Sequence, residues 1–199
     1  MRCMCASPEA LGALCKNCPM PLHTSVATIS TSLGDIRVNI LGNHAPKTVK
    51  NFEGLATGDL EWTHPATGEK KTYTPLYDGI IFHRIIKQFM LQGGDPLGQG
   101  IGGPGFEFDD EIHPELNFNE PYVLAMANAG VRGGKGTNGS QFFITTVPTP
   151  WLQAKHTIFG FVADEESKRV VDAIEAVPTD ARDKPLDDVV IRTITIEQV

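Results

Sequence analysis

One arginine stands inside an apolar run: Phe82-His83-Arg84-Ile85-Ile86-Lys87-Gln88-Phe89-Met90-Leu91-Gln92-Gly93-Gly94-Asp95. The run reads as strand of a barrel, not as a solvated face. By burial habit alone an arginine in such a run is more often a snorkelling edge residue than a functional one. Yet a guanidinium cannot shed its charge, so a half-buried one must find acceptors. The run ends in Gln-Gly-Gly-Asp, where glycine lets the backbone turn or approach another group closely.

Two further segments give the arginine a context. Leu124-Ala125-Met126-Ala127-Asn128-Ala129-Gly130 reads as a strand entering a tight turn. After a glycine-rich loop comes Thr137-Asn138-Gly139-Ser140-Gln141-Phe142-Phe143-Ile144, in which Asn138-Gly139 is the strongest short turn signal of the chain. Gln141 to Ile144 then reads as the next strand. Trp151-Leu152-Gln153-Ala154-Lys155-His156-Thr157-Ile158-Phe159-Gly160 places an indole, a leucine and a histidine close together. A cation beside a greasy floor suits an apolar ligand that carries a carbonyl, such as proline within a peptide.

In order and spacing these segments resemble the cyclophilin family of peptidyl-prolyl cis-trans isomerases, from about Val26 to Ile196. The resemblance implies a mainly β fold, a closed eight-stranded antiparallel barrel capped by two α-helices. It implies rotation of X–Pro bonds in proline-containing peptides and unfolded or flexible protein segments, in aid of protein folding and with no cofactor. By motif position, Arg84 is the catalytic arginine. Phe89, Met90, Phe143 and Leu152 match the proline pocket. Gln92, Asn128 and His156 match polar groups around the peptide, and Ala127, Gln141 and Trp151 match its rim. Trp151 also matches the position that favours cyclosporin. A peptide-binding module without catalysis is the rival reading; it would need a broken arginine or pocket, and both stand intact in the sequence. Two departures stand out. Lys87-Gln88 replaces the common Pro-Gly, in a loop whose spacing turns it away from the proline ring. The loop Val131-Arg132-Gly133-Gly134-Lys135-Gly136 is longer than in short members and borders the groove.

The rest of the chain fits one domain of residues 23–199 behind a compositionally distinct segment 1–22. Val26 to Ile40 alternates as a hairpin with Gly34-Asp35 near its turn. Val49, Phe52, Leu55 and Ala56 recur at helical spacing from Lys47 to Thr57, with Pro46 at the start, no good cap at Ala45 or His44, and Gly58 closing. Residues 59–76 read as a polar surface loop, Tyr77 to Ile86 as a strand, and Phe89 to Gln92 as another. Residues 93–105 carry seven glycines. No Gly-Lys-Ser/Thr follows them, so they read as a permissive connection beside the groove, not a phosphate loop. Glu107, Asp109, Asp110, Glu111 and Glu115 with His113 lack metal-site spacing and read as a solvated acidic loop. Glu165 to Val177 is the second helix, stopped by Pro178. Val189 to Ile196 is a final strand that closes the barrel.

The formal net charge of -7 over 199 residues argues against a nucleic-acid partner. No apolar run is long enough to span a bilayer, and a monomer is the expectation for a closed barrel. All four cysteines, Cys3, Cys5, Cys15 and Cys18, precede the domain. A secreted, disulfide-stapled fold would spread them through its core, so a cytoplasmic setting is expected. The four thiols are compatible with one zinc, which would make the segment a docking unit; the alternative is a flexible tail, or codons upstream of a start at Met20.

Overall fold

The computed structural model describes residues 23–199. The boundary drawn at residue 22 and the zinc reading of Cys3, Cys5, Cys15 and Cys18 therefore concern residues outside those described.

The strands are β1 (Ser25–Thr31), β2 (Gly34–Ile40), β3 (Trp62–Thr63), β4 (Lys70–Lys71), β5 (Arg84–Ile86), β6 (Met90–Gly93), β7 (Val123–Met126), β8 (Phe142–Thr145), β9 (Ile158–Val162) and β10 (Ile191–Gln198); the helices are α1 (Pro46–Thr57) and α2 (Glu165–Glu175). Eight strands form one antiparallel sheet in the order β10-β1-β2-β9-β7-β8-β6-β5, while β3 and β4 pair alone. The two edges of the large sheet meet through a single bridge, Ile81 to Val190. Main-chain bonds from Phe82 N–H to Val189 O and from Ile191 N–H to Ile80 O, 3.0 and 2.7 Å, flank it. Closure is thus a short seam, not a full ladder.

That seam corrects the reading of Tyr77 to Ile86 as one strand. Gly79 turns the chain at φ 78°. The segment then bonds discontinuously, Phe82 to Val189 and Ile85 to Asp183 O, so only Arg84–Ile86 forms ladder. The first hairpin turns at Ser32-Leu33, ahead of Gly34. The 59–76 loop contains the β3–β4 pair, and it buries Trp62, whose Nε1–H donates to Thr74 O at 2.9 Å.

Side chains alternate across the pleat, and here both faces are covered. Ile85, Leu91, Leu124, Phe142 and Ile144 face the main core; Met90, Val123, Ala125 and Phe143 face a second cluster with Leu41, Leu116, Phe118 and Ile158. Helix α1 fills the main core with Phe52, whose ring lies 5.3 Å from Tyr77, 5.7 Å from Phe142 and 5.2 Å from Phe159. Its start has no local side-chain cap. Glu111 supplies one from the distant acidic loop, accepting from Lys47 N–H at 3.2 Å and from Thr48 N–H and Oγ1–H at 2.7 and 2.8 Å. Helix α2, capped by Asp164 accepting from Ser167 N–H at 2.8 Å, packs on β2, β5 and β6.

Candidate active site

The second cluster is the floor of the site. Register puts Arg84 of β5 opposite Gln92 of β6, Gln92 opposite Phe143 of β8, and Phe143 opposite Ala125 of β7. Paired residues share a face, so Arg84, Gln92 and Phe143 form one row on the outer side of the sheet. Adjacent strands lie about 4.8 Å apart, so the Arg84 and Phe143 backbones are separated by about 10 Å. Met90 belongs to the same face, one pleat along.

Around this row the predicted pocket residues come together. Phe143 is 5 % exposed and Met90 3 %, with Phe89, Leu152 and Ala127 packed against their cluster. Phe118 stacks on Phe143 at 6.2 Å, and His156 meets the same ring edge-on at 5.3 Å. Trp151, in a 3₁₀ turn over Pro150–Leu152, stays 55 % exposed and lies 6.0 Å from Phe89. Gln92 Nε2–H donates to Gln141 Oε1 at 2.9 Å, and Gln141 Nε2–H donates to Gly102 O at 2.9 Å. Beyond that amide pair opens a depression of about 860 Å³, lined in part by Gln92, Ala127, Asn128, Arg132 and Gln141. The long loop at 131–136 is a hairpin on its edge, with Gly133 and Gly134 both at positive φ between paired Arg132 and Lys135.

Arg84 is half exposed, its Nε 3.8 Å from Asp183 Oδ2. Both the edge-residue habit and the pocket context of this arginine are therefore present. Asn128 is differently placed than its residue type suggests. Its amide donates to Asp110 Oδ1 at 3.0 Å and Lys155 O at 2.9 Å, and its Oδ1 accepts from Gly130 N–H at 3.1 Å. The side chain is occupied by scaffold. His156 Nδ1 lies 3.0 Å from Met126 O; a carbonyl only accepts, so Nδ1 carries the hydrogen. Burial lowers the His156 pKa, outweighing the opposing effects of Met126 O and Asp110. In the neutral ring Nε2 therefore offers a lone pair, not a proton.

Several organising residues were not legible in sequence. Asp95, fully buried, accepts from the N–H groups of Leu97, Gln99, Gly100 and Ile101 at 2.7, 3.0, 2.6 and 3.1 Å. Burial raises its pKa, but main-chain donors, Leu97 and Gly102 foremost, more than offset this and hold the carboxyl below its usual range. The glycine-rich loop is thus an anion nest filled by the protein's own carboxylate. Gly102 and Gly94 are required by close approach: a Cβ would strike Asp95 Oδ1 at the first and Ser140 O at the second. The solvated reading of the acidic loop holds for the exposed Glu107 and Glu115 but is corrected for the three carboxylates between them. Glu111 caps α1, Asp110 holds Asn128 and also accepts from Asn138 at 2.9 Å, and Asp109 accepts from Gly136 N–H at 2.6 Å. At the departing Lys87-Gln88 turn, Gln88 sits at φ 56°; Glu175 of α2 accepts from Gln88 N–H and Thr146 Oγ1–H, both at 2.6 Å. The signal available for Asp95 was an aspartate opening a glycine run; the partners of the others lie too far along the chain to suggest themselves.

The sheet is closed by a short seam and carries an arginine and an apolar pocket in register on its outer face. Residues 26–196 match the family described as cyclophilin type peptidyl-prolyl cis-trans isomerase/CLD. The chain is 61 % identical over 172 residues to peptidyl-prolyl cis-trans isomerase B of Streptomyces anulatus, covering 86 % of this chain and 95 % of that one. It is 58 % identical over 177 residues to peptidyl-prolyl cis-trans isomerase A of Mycobacterium tuberculosis, covering 88 % and 94 %. A crystal structure of a Cryptosporidium parvum cyclophilin type peptidyl-prolyl cis-trans isomerase superposes with a TM-score of 0.74 at 36 % identity, covering 89 % of this chain and 99 % of that one. The same enzyme in the presence of the dipeptide Ala-Pro gives 0.72 at 36 % identity, covering 87 % and 99 %. The chain belongs to the cyclophilin-type peptidyl-prolyl cis-trans isomerases.

Proposed function

We propose that this isomerase grips proline on Phe89, Met90, Phe143 and Leu152 and drives bond rotation with Arg84. The observation that carries the reading is the row Arg84–Gln92–Phe143 across three adjacent strands. The barrier to peptide rotation, about 18–20 kcal/mol, comes from C–N double-bond character. The X–Pro isomers differ by only about 0.5–1 kcal/mol. The reaction therefore needs neither nucleophile nor cofactor, only preference for the twisted amide. In that state the proline nitrogen becomes pyramidal and regains a lone pair. A guanidinium N–H beside it bonds weakly to the planar amide and strongly to the twisted one, which is differential binding.

The apolar cup holds the ring still while the acyl side turns. Flat aromatics and a pliable methionine fit that ring with little strain. Gln92 and Gln141, locked to each other, would present fixed amides to the flanking backbone. Asn128, its side chain engaged, would offer its main chain. His156 would shape the wall of Phe143 and accept through Nε2. Ala127 and Trp151 would form the rim, where the exposed indole would also bind cyclosporin. Substrates are proline-containing peptides and flexible protein segments, a reading supported by Ala-Pro with the Cryptosporidium enzyme; folding assistance, a monomeric state and a cytoplasmic setting belong to the same proposal.

Titration of a blocked Ala-Pro peptide into isotopically labelled protein tests the site. The expected result is shifted resonances at Phe89, Met90, Gln92, Phe143 and Leu152, together with cis–trans exchange cross-peaks of the peptide. Exchange accompanied by shifts confined elsewhere would remove this assignment.

A further inference from the structure

We propose that His44, His113 and Glu115 form a divalent-metal site on the face next to the start of α1, suited to zinc. Each offers a ligand atom within 4.8 Å of the other two. His44 Nε2 lies 3.6 Å from Glu115 Oε2, and the two imidazoles meet edge to face with centroids 4.6 Å apart. Ligand atoms on one tetrahedral zinc at about 2.0–2.1 Å stand about 3.3 Å from each other. Small side-chain rotations reach that arrangement.

Three features beyond proximity support the site. The two segments that carry the ligands are already fastened together, because Glu111 of the loop is bonded to the first residues of α1, directly after His44. The loop itself turns tightly between the ligands, Leu116 N–H donating to His113 O at 3.2 Å. Protein contacts also orient the ligands: Glu115 N–H donates to His113 Nδ1 at 3.3 Å, and His44 Nε2 faces Glu115 Oε2 at 3.6 Å. Two neutral imidazoles around a cation, with a carboxylate to balance charge, make chemical sense of that juxtaposition. The His44 side chain is 12 % exposed and that of Glu115 75 %, so the cluster is walled on one side and open on the other. A water can complete the coordination from the open side. Bound metal would tie α1 to the segment whose Leu116 and Phe118 back the Phe143 wall.

The test uses the full chain with Cys3→Ser, Cys5→Ser, Cys15→Ser and Cys18→Ser, so that thiolates do not compete for the probe. Zinc is titrated by calorimetry, and melting is followed with and without it. One zinc per chain is expected, with a melting rise of about 5–10 °C at a hundredfold excess over Kd. His113→Ala and Glu115→Gln, both at solvent-accessible positions, should each weaken binding by about tenfold or more while the metal-free melting temperature holds. Absence of binding at millimolar zinc overturns the proposal, as does binding that neither substitution weakens.

Discussion

At the scale of single residues, buried ionisable groups set the response to pH and to substitution. His83 is 7 % exposed and neither ring nitrogen has a partner. Burial lowers its pKa, with Asp95 opposing and Arg84 adding to the effect; His156 is lowered chiefly by burial too. The native state therefore favours both rings neutral, whereas the unfolded chain takes up protons near pH 6.5. Stability is full above that pH and falls as pH drops below it toward the depressed native values. Melting measured between pH 7.5 and 5 should decline, and less steeply in His83→Phe. Asp95 has the opposite role, since its depressed pKa contributes stability that is lost only on acidification below about pH 4. Asp95→Asn keeps the shape but sacrifices charged acceptors for several N–H groups, and should cost about 2–4 kcal/mol in denaturant unfolding.

At the scale of elements, most of the regular structure was legible because local pattern decides it. The spacing of Val49, Phe52, Leu55 and Ala56 with Pro46 and Gly58 located α1, and the apolar run Phe142-Phe143-Ile144 located β8; Asn138-Gly139, read as a tight turn, is not one, since Asn138 is buried and bridged to Phe108, and the tight turn falls at Gly133-Gly134. The misplaced pieces are those whose hydrogen bonds go to distant partners. Tyr77 to Ile86 has strand composition throughout, yet it bonds to Val189 and Asp183 in turn and breaks. The acidic loop has no sequence partner to reveal that Glu111 caps α1. Three bonds to one carboxylate make that cap testable: Glu111→Ala should lower stability by about 2 kcal/mol, and Glu111→Gln by less, in the same unfolding assay. The residues that the motifs assign to the proline pocket do come together in one cluster, but the engagement of Asn128 by Asp110 and of Gln92 by Gln141 depended on tertiary placement.

At the scale of the whole molecule, sheet closure rests on one bridge and its flanking bonds, while β1 is paired along its full length on both sides. Hydrogen exchange should find the amides of Phe82 and Ile191 opening ahead of those in the middle of β1, as expected where few bonds must break together. Equal protection would mean the seam opens only with the whole barrel. The site sits away from that weak edge on one flank and beside it on the other: Phe143 lies inside the sheet, Arg84 on the last strand. The most direct test separates binding from rate in Arg84→Ala, measuring X–Pro peptide affinity and catalysed isomerisation on the same folded protein. Differential binding predicts that the rate falls by about 10²–10³-fold while affinity stays within about fivefold. A variant that keeps its rate, or loses affinity and rate in equal measure, would contradict the role given to Arg84.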